Sequence, residues 1–283
     1  MTRSPEPPDF EELWKSSTNR PPASVRPSLV PVTEGRGNPF FFVHWASGNI
    51  DFLTDIAGSL PGERPIYGIA SPGFRHRQRP FQSVYETADY YLAQIRDRQP
   101  GGPYFLAGIC SGASIAYEIA RRITADGNDV AALVLVNSLQ PGTRQLDPAW
   151  DLADVYAYRL SRLRTLAGTA DLGTCLPALM TSLKNLGWID RAAPAADFYW
   201  HQVIWAANTY AQDHYQPPPY TGPAYLVQDT DVVGLDGADW SSLIPHVKTF
   251  AYEATSSIEL MARPEFAEIY HAVSATDHRR RRR

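Results

Sequence analysis

Residues 104–113 read Tyr104-Phe105-Leu106-Ala107-Gly108-Ile109-Cys110-Ser111-Gly112-Ala113. The apolar first half is typical of a buried parallel strand, and small residues then lead into a helical stretch. Gly108 and Gly112 lie two positions before and two positions after Cys110, which is the spacing of a nucleophile elbow. A plain strand-turn-helix with a small buried cysteine has the same spacing, but the strand-to-helix context favours the elbow. The elbow would hold Cys110 at the top of a sheet, beside the positive end of a helix that stabilises a thiolate.

The segments on both sides of this stretch alternate between apolar runs and amphipathic stretches. Such alternation predicts an α/β fold with a mostly parallel central sheet flanked by helices. Ser83 and Glu86 have the spacing of a capping box at the start of one helix. The predicted strands cover residues 39–44, 65–70, 104–108, 130–136, 223–227 and 246–252. The predicted helices cover residues 49–60, 83–98, 113–126 and 264–273.

The chain divides into a main domain with two flanking segments. Residues 1–37 are rich in proline and predict an extended N-terminal arm with one short helix near residues 10–15. Residues 38–275 predict the domain, and residues 276–283 a basic tail. Residues 141–215 interrupt the alternation with three helical stretches and no strand, which predicts a helical lid. The lid is rich in aromatic residues, which favour either an acyl pocket or simple anchoring to the core.

Composition excludes several classes of function. The chain has 26 Lys and Arg against 30 Asp and Glu, and the five arginines of residues 279–283 account for part of that basic total. An acidic body argues against nucleic acid as a partner. The two cysteines have neither metal-binding nor redox spacing, so no metal site is expected. With no apolar leader and no apolar run of ~18 residues, we expect a cytoplasmic protein without a membrane span.

Several segments resemble the thioesterases of polyketide and nonribosomal peptide synthesis, including the stand-alone type II form. The resemblance covers roughly residues 28–275 and implies the α/β-hydrolase fold. Residues 38–48 are similar to the family's first strand and its oxyanion loop, and residues 220–227 and 261–265 to its later segments. Cys110 falls on the family's nucleophile, and Asn137 falls on the end of the strand that carries its catalytic Asp. The resemblance also implies an oxyanion hole made by the backbone N–H groups of Ala46 and Ser111.

The same comparison of motifs indicates that the family's catalytic triad of serine, histidine and aspartate is altered in this sequence. The family's usual serine is replaced by Cys110, and its aspartate by Asn137. The loop that would carry its histidine, residues 254–261, contains none, and Ser257 lies nearest the vacant position. A thiol depends less on a base than a hydroxyl does, because a few per cent is already thiolate at neutral pH. Hydrolysis of an acyl-enzyme still needs a general base, worth about 10²- to 10⁴-fold.

These features predict acyl transfer, cyclisation or release of an acyl chain held as a thioester on a carrier protein. Cys110 would accept the acyl group, Asn137 would orient a neighbouring group, and an amine, hydroxyl or thiol would be a better acceptor than water. The resemblance implies no bound cofactor, with the substrate carried on the phosphopantetheine of an acyl or peptidyl carrier protein. Two alternatives remain: a non-covalent catalyst of cyclisation, dehydration or isomerisation, and an inactive pseudo-thioesterase that binds carrier proteins.

Other titratable residues are candidates for the missing base. His44 follows the first strand, and its expected role is structural. His201 and His214 lie in or beside the lid, where folding over Cys110 competes with an ordinary place on a helix face. A set of carboxylates, Asp229, Asp231, Glu253 and Glu259, is predicted at the catalytic edge of the sheet, where solvated loop positions are the simpler interpretation.

Overall fold

The computed structural model describes residues 7–18, 28–60, 62, 64–74, 77–143, 146–169, 171–186, 188–189 and 191–274. The basic tail and much of the N-terminal arm lie outside these ranges. The described chain contains a seven-stranded sheet with the order β1-β3-β2-β4-β5-β6-β7. The strands are β1 Leu29–Thr33, β2 Phe40–Val43, β3 Ile66–Ile69, β4 Tyr104–Ile109, β5 Val130–Val136, β6 Ala224–Asp229 and β7 Lys248–Tyr252.

All neighbouring strands pair in parallel except β1, which runs antiparallel to β3 at the edge. The predicted α/β fold with a mostly parallel sheet is therefore confirmed. β2, β4 and β5 are buried along their whole length, because helices cover both faces of the sheet. The helices are α1 Phe10–Ser16, α2 Phe52–Ala57, α3 Val84–Arg98, α4 Ser111–Ala125, α5 Leu152–Ala167, α6 Leu172–Asn185, α7 Phe198–Asp213, α8 Thr230–Val233, α9 Ser257–Ala262 and α10 Pro264–Ser274.

The apolar core forms two layers, one on each face of the sheet. Alternate strand residues point to opposite faces, so Leu106 packs with α3 and α4 while Phe105 packs with α2, α9 and α10. β4 lies between β2 and β5 in the middle of the sheet. The residue that follows β4 therefore stands at the centre of the edge formed by the carboxyl ends of the parallel strands.

The arm prediction differs from the structure in one segment. Leu29–Thr33 form the edge strand β1, whereas the proline content of residues 1–37 predicted an extended arm. Pro31 lies within this strand and pairs with Tyr67. An edge strand tolerates proline because one side of its backbone has no neighbouring strand to bond. The predicted capping box of α3 is also wrong, since the Ser83 side chain makes no capping hydrogen bond.

The lid is a separate apolar cluster above the carboxyl edge of the sheet. Its described part consists of α5, α6, a short 3-10 turn at Ala195–Asp197, and α7. Helix α1 belongs to the same cluster, because Phe10 stacks on Trp14 and contacts Tyr156 of α5. The predicted short helix of the arm is thus present and packs on the lid. Nowhere in the described ranges is a helix long and apolar enough to cross a membrane.

Candidate active site

The turn between β4 and α4 holds Cys110 in a strained conformation. Its φ is 52° and its ψ is −124°, a combination that side-chain-bearing residues rarely adopt. Space for this turn depends on two glycines. A Cβ on Gly108 would lie 2.3 Å from the carbonyl oxygen of Gly112, and a Cβ on Gly112 would lie 1.9 Å from that of His44. The geometry is that of a nucleophile elbow.

Two backbone N–H groups face the sulfur of Cys110. One belongs to Ser111 at the start of α4, and the other belongs to Ala46 in the loop after β2. They are the two groups that the resemblance implied as oxyanion donors, and that role stays a prediction. The loop is fixed from the lid, because Asn208 Nδ2 of α7 donates to the carbonyl oxygen of Ala46 at 2.9 Å. The arrangement offers two converging donors beside a nucleophilic atom.

Cys110 is exposed at the surface of the cavity, but protein atoms surround its thiol closely enough to desolvate it. This desolvation raises the pKa of the Cys110 thiol, and the backbone N–H groups of Ser111 and Ala46 oppose the rise only in part. The sequence had suggested a thiolate stabilised by the helix N-terminus. The N–H dipoles act in that direction, but desolvation of the thiol has the larger effect on its pKa.

Asn137 connects the end of β5 to the segment after β7. Its amide Nδ2 donates to Ser257 Oγ at 2.9 Å, and its Oδ1 accepts from the backbone N–H of Asp229 at 2.6 Å. The residue has a φ of 41°, a region that asparagine occupies more readily than most residues. Asn137 and Ser257, which the resemblance placed at the acid and histidine positions, are thus in direct contact.

Ser257 is positioned by a short helix that the sequence interpretation missed. Helix α9 begins after Ser256, whose side chain accepts from the backbone N–H of Glu259 at 3.1 Å. Glu259 in turn accepts from the backbone N–H of Thr255 at 2.8 Å. The Ser-x-x-Glu spacing was a readable helix-start signal. It fixes the loop that ends opposite Asn137.

His44 has a structural role, as expected. Its Nδ1–H donates to the Trp45 carbonyl oxygen at 2.6 Å, and its Nε2 accepts from the hydroxyl of Tyr91 at 2.7 Å. Burial lowers the pKa of His44 to about 4, so the ring is neutral at physiological pH. With both ring nitrogens engaged in the core, His44 is not available as a base.

The remaining candidates for a base differ in whether they border the cavity beside Cys110. His201 stacks on Phe74 in the lid cluster, and His214 lies exposed at the end of α7; neither borders the cavity beside Cys110. Asp229 does border this cavity and is largely buried at the end of β6, so the solvated-loop interpretation is wrong for this residue. Its Oδ1 accepts from the backbone N–H of Asp231 at 3.0 Å.

The cavity lies between the sheet edge and the lid and has a volume of about 470 Å³. Cys110, Asn137 and Ser257 form part of its floor. The lid contributes Trp188 and Trp205, while most of the lid's other aromatic residues pack in the lid cluster. Two lid aromatics thus line the cavity, and most of the others anchor the lid, while the acyl pocket stays a prediction.

Arg159 of α5 also borders this cavity, and sequence reasoning did not single it out. One basic residue among the three arginines of an amphipathic helix carries no distinguishing signal. Among the described residues, no cluster of three or more His, Cys, Asp or Glu side chains has the geometry of a metal site.

The central elbow, the mostly parallel sheet and the helical lid define an α/β-hydrolase. A family model described as the thioesterase domain matches residues 38–221. The chain belongs to the thioesterase family.

Proteins with similar sequences include polyketide synthases and nonribosomal peptide synthetases. The chain is 35% identical over 117 residues to polyketide synthase PksR of Bacillus subtilis, which is 41% of this chain and 4% of that protein. It is 33% identical over 112 residues to nonribosomal peptide synthetase apvA of Aspergillus terreus, which is 40% of this chain and 12% of that protein. The aligned region is thus a small part of these relatives.

Solved structures support the fold assignment. The NocB thioesterase domain, in complex with a nocardicin G analogue, has a TM-score of 0.62 at 23% identity, covering 87% of this chain and 97% of that one. YbtT, the type II thioesterase of the yersiniabactin pathway, has a TM-score of 0.62 at 17% identity, covering 89% and 98%.

Proposed function

We propose that this protein accepts acyl groups from carrier-protein thioesters onto Cys110 and passes them to an acceptor other than water. The observation that carries the proposal is the convergence of two backbone N–H groups on the Cys110 sulfur at the floor of a cavity. The relatives are polyketide and nonribosomal peptide synthases, whose intermediates are carried on phosphopantetheine arms, and this supports the choice of thioester. An acyl or peptidyl carrier protein would be the partner.

The chemistry follows from the site. The Cys110 thiolate attacks the thioester carbonyl carbon, and the developing oxyanion accepts from the N–H groups of Ala46 and Ser111. The carbon–sulfur bond to phosphopantetheine then breaks, and the departing thiolate takes up the proton that Cys110 released. In the second step an acceptor N–H, O–H or S–H attacks the acyl-cysteine. Its proton returns to the sulfur of Cys110, which is regenerated.

Asn137 and Ser257 have a positioning role in this proposal. An amide is neither an acid nor a base, so the Asn137–Ser257 pair does not activate water. Among the residues that the structure describes, no histidine borders the cavity. Hydrolysis therefore lacks the usual general base, which favours acceptors more nucleophilic than water.

Intact-protein mass spectrometry tests the covalent step. After mixing with an acyl-N-acetylcysteamine thioester, we expect an adduct of the acyl mass that is absent in Cys110→Ala. Cys175→Ala is the matched control, because it removes the other cysteine, which lies in the lid with its Sγ donating to the carbonyl of Leu172. An adduct that persists in Cys110→Ala contradicts the assignment. No adduct with any acyl chain favours a non-covalent catalyst or a carrier-binding pseudo-thioesterase.

The raised pKa of Cys110 predicts how acylation depends on pH. Below the pKa of a thiol, the thiolate fraction rises about tenfold per pH unit. Because burial raises the pKa of Cys110, we expect the acylation rate to keep rising between about pH 6 and pH 9 without a plateau. Single-turnover acylation measured across this range, with Cys110→Ala as the background, gives the profile. A plateau near neutral pH would indicate a pKa lowered by a base that the proposal does not include.

A further inference from the structure

Arg159 is a buried cation on the lid side of the cavity. Its side chain belongs to α5 and is only 8% exposed, yet it borders the same cavity as Cys110. Buried arginines are normally paired with carboxylates, because an uncompensated buried charge is costly. The surroundings of Arg159 therefore indicate what the cavity binds.

The protein holds this guanidinium in a fixed position. Its Nε donates to Gln202 Oε1 at 3.0 Å, and Gln202 is itself anchored through its amide nitrogen to the Phe198 carbonyl at 2.9 Å. The guanidinium carbon lies 4.5 Å from the ring centroid of Trp205 and 5.6 Å from that of Trp188. Aromatic rings on a cation orient it and stabilise its charge in part.

No carboxylate neutralises Arg159 within the described chain, and its Nη atoms donate to no described protein acceptor. The contrast with α4 is clear, because Arg121 and Arg122 both pair with the buried carboxylate of Glu118. Burial, with a smaller contribution from the nearby cation Arg162, lowers the pKa of Arg159 to about 10. The guanidinium is still charged at neutral pH, and its charge is left for a ligand to neutralise.

We propose that Arg159 binds a carboxylate carried on the acyl chain of the substrate. The two free Nη atoms have the fork geometry that suits a carboxylate. The charges that border the cavity also favour one orientation of the bound acyl chain. Asp229 lies beside Asn137 on the floor and repels an anion there, whereas Arg159 attracts it to the lid. The thioester would lie at Cys110 and the carboxylate at Arg159.

This inference rests on the proposed acyl transfer only for the identity of the thioester, and binding can be tested without chemistry. Cys110→Ala protein is titrated calorimetrically with adipoyl-N-acetylcysteamine and with its methyl ester, which has the same chain without the charge. We expect the free acid to bind about 10- to 100-fold more tightly, the size expected for a hydrogen-bonded charged group. Arg159→Gln should abolish this preference, and Arg159→Lys should retain part of it.

Arg162→Gln is the matched control, because it removes the same charge from an exposed position of the same helix. Thermal melting checks that each variant is folded. Equal affinity for acid and ester in the Cys110→Ala protein overturns the inference, even if Cys110 of the unmodified protein is acylated. Preference for the acid without acylation of the unmodified protein leaves the inference standing and removes the proposed transfer.

The phosphate of the phosphopantetheine arm is the other anion of a carrier-bound substrate. Hexanoyl thioesters of pantetheine and of 4′-phosphopantetheine separate this source from the acyl carboxylate. We expect the phosphate to change the affinity of the Cys110→Ala protein equally with and without the Arg159→Gln substitution. A phosphate preference that requires Arg159, together with no preference for the adipoyl acid, would overturn the assignment to the acyl chain.

Discussion

A chain that carries both Asn137→Asp and Ser257→His is expected to hydrolyse acyl-Cys110 about 10²- to 10⁴-fold faster than the unmodified protein. The reason lies in the contact between these two side chains, which joins the strand end at β5 to the start of α9 at 2.9 Å. A carboxylate at position 137 still accepts from the backbone N–H of Asp229, which now fixes the amide oxygen at 2.6 Å. Its second oxygen then accepts from an imidazole at position 257.

An imidazole held in this way borders the cavity that Cys110 borders, and it supplies the base that water needs. The acyl-enzyme is prepared with an N-acetylcysteamine thioester, separated from excess reagent, and its decay is followed by intact mass. Each single variant is expected to gain less than the pair. A carboxylate alone is a poorer base for water near neutral pH than an imidazole, and an imidazole beside an amide lacks its carboxylate partner.

Thr255→His combined with Asn137→Asp is the control for a histidine placed elsewhere on the same loop. Thr255 also borders the cavity, but its backbone N–H and hydroxyl are bound to Glu259. We expect little gain from this combination. Equal acceleration by both double variants would show that any nearby imidazole suffices, and no acceleration by Asn137→Asp with Ser257→His would contradict the mapping of the triad positions.

The fold was largely readable from the sequence because its signals are local. Buried parallel strands give short apolar runs, and β4 enters α4 within the residues of one motif. The edge strand β1 was missed because Pro31 weakens the local pattern, while its pairing with β3 depends on a segment far along the chain. Helix α9 had a readable capping signal, whereas the capping box suggested for α3 does not form.

The site was less readable, since its contacts join distant segments. Asn137 and Ser257 are 120 residues apart, and only the resemblance to a known family associated them. The protonation of Cys110 shows a second limit. Sequence placed the thiol at a helix N-terminus, which lowers its pKa, but the packing around the site raises it. Arg159 shows a third limit. Its position away from any described carboxylate is set by the packing of α5 against α7, which the sequence of α5 does not reveal.

Replacing Gly112 by alanine is expected to destabilise the protein by at least about 3 kcal/mol, the upper range for overpacked cores. The added Cβ would lie 1.9 Å from the carbonyl oxygen of His44. His44 has little freedom to move away, because its backbone N–H donates to Ile69 at 3.1 Å and its ring is bound at both nitrogens. The first turn of α4 would have to shift away from β2, and Cys110 would shift with it.

Gly58→Ala is the matched control for this substitution. Gly58 follows α2 with a φ of −67°, and a Cβ there meets no atom of the described neighbouring residues within 4 Å. We expect this variant to be neutral or more stable by up to about 1 kcal/mol, because alanine restricts the unfolded chain. Urea unfolding followed by tryptophan fluorescence compares the two variants with the parent. If Gly112→Ala lost less than about 1 kcal/mol, the close crossing of α4 over β2 would be contradicted, and with it the packing that holds Cys110 at the apex of its turn.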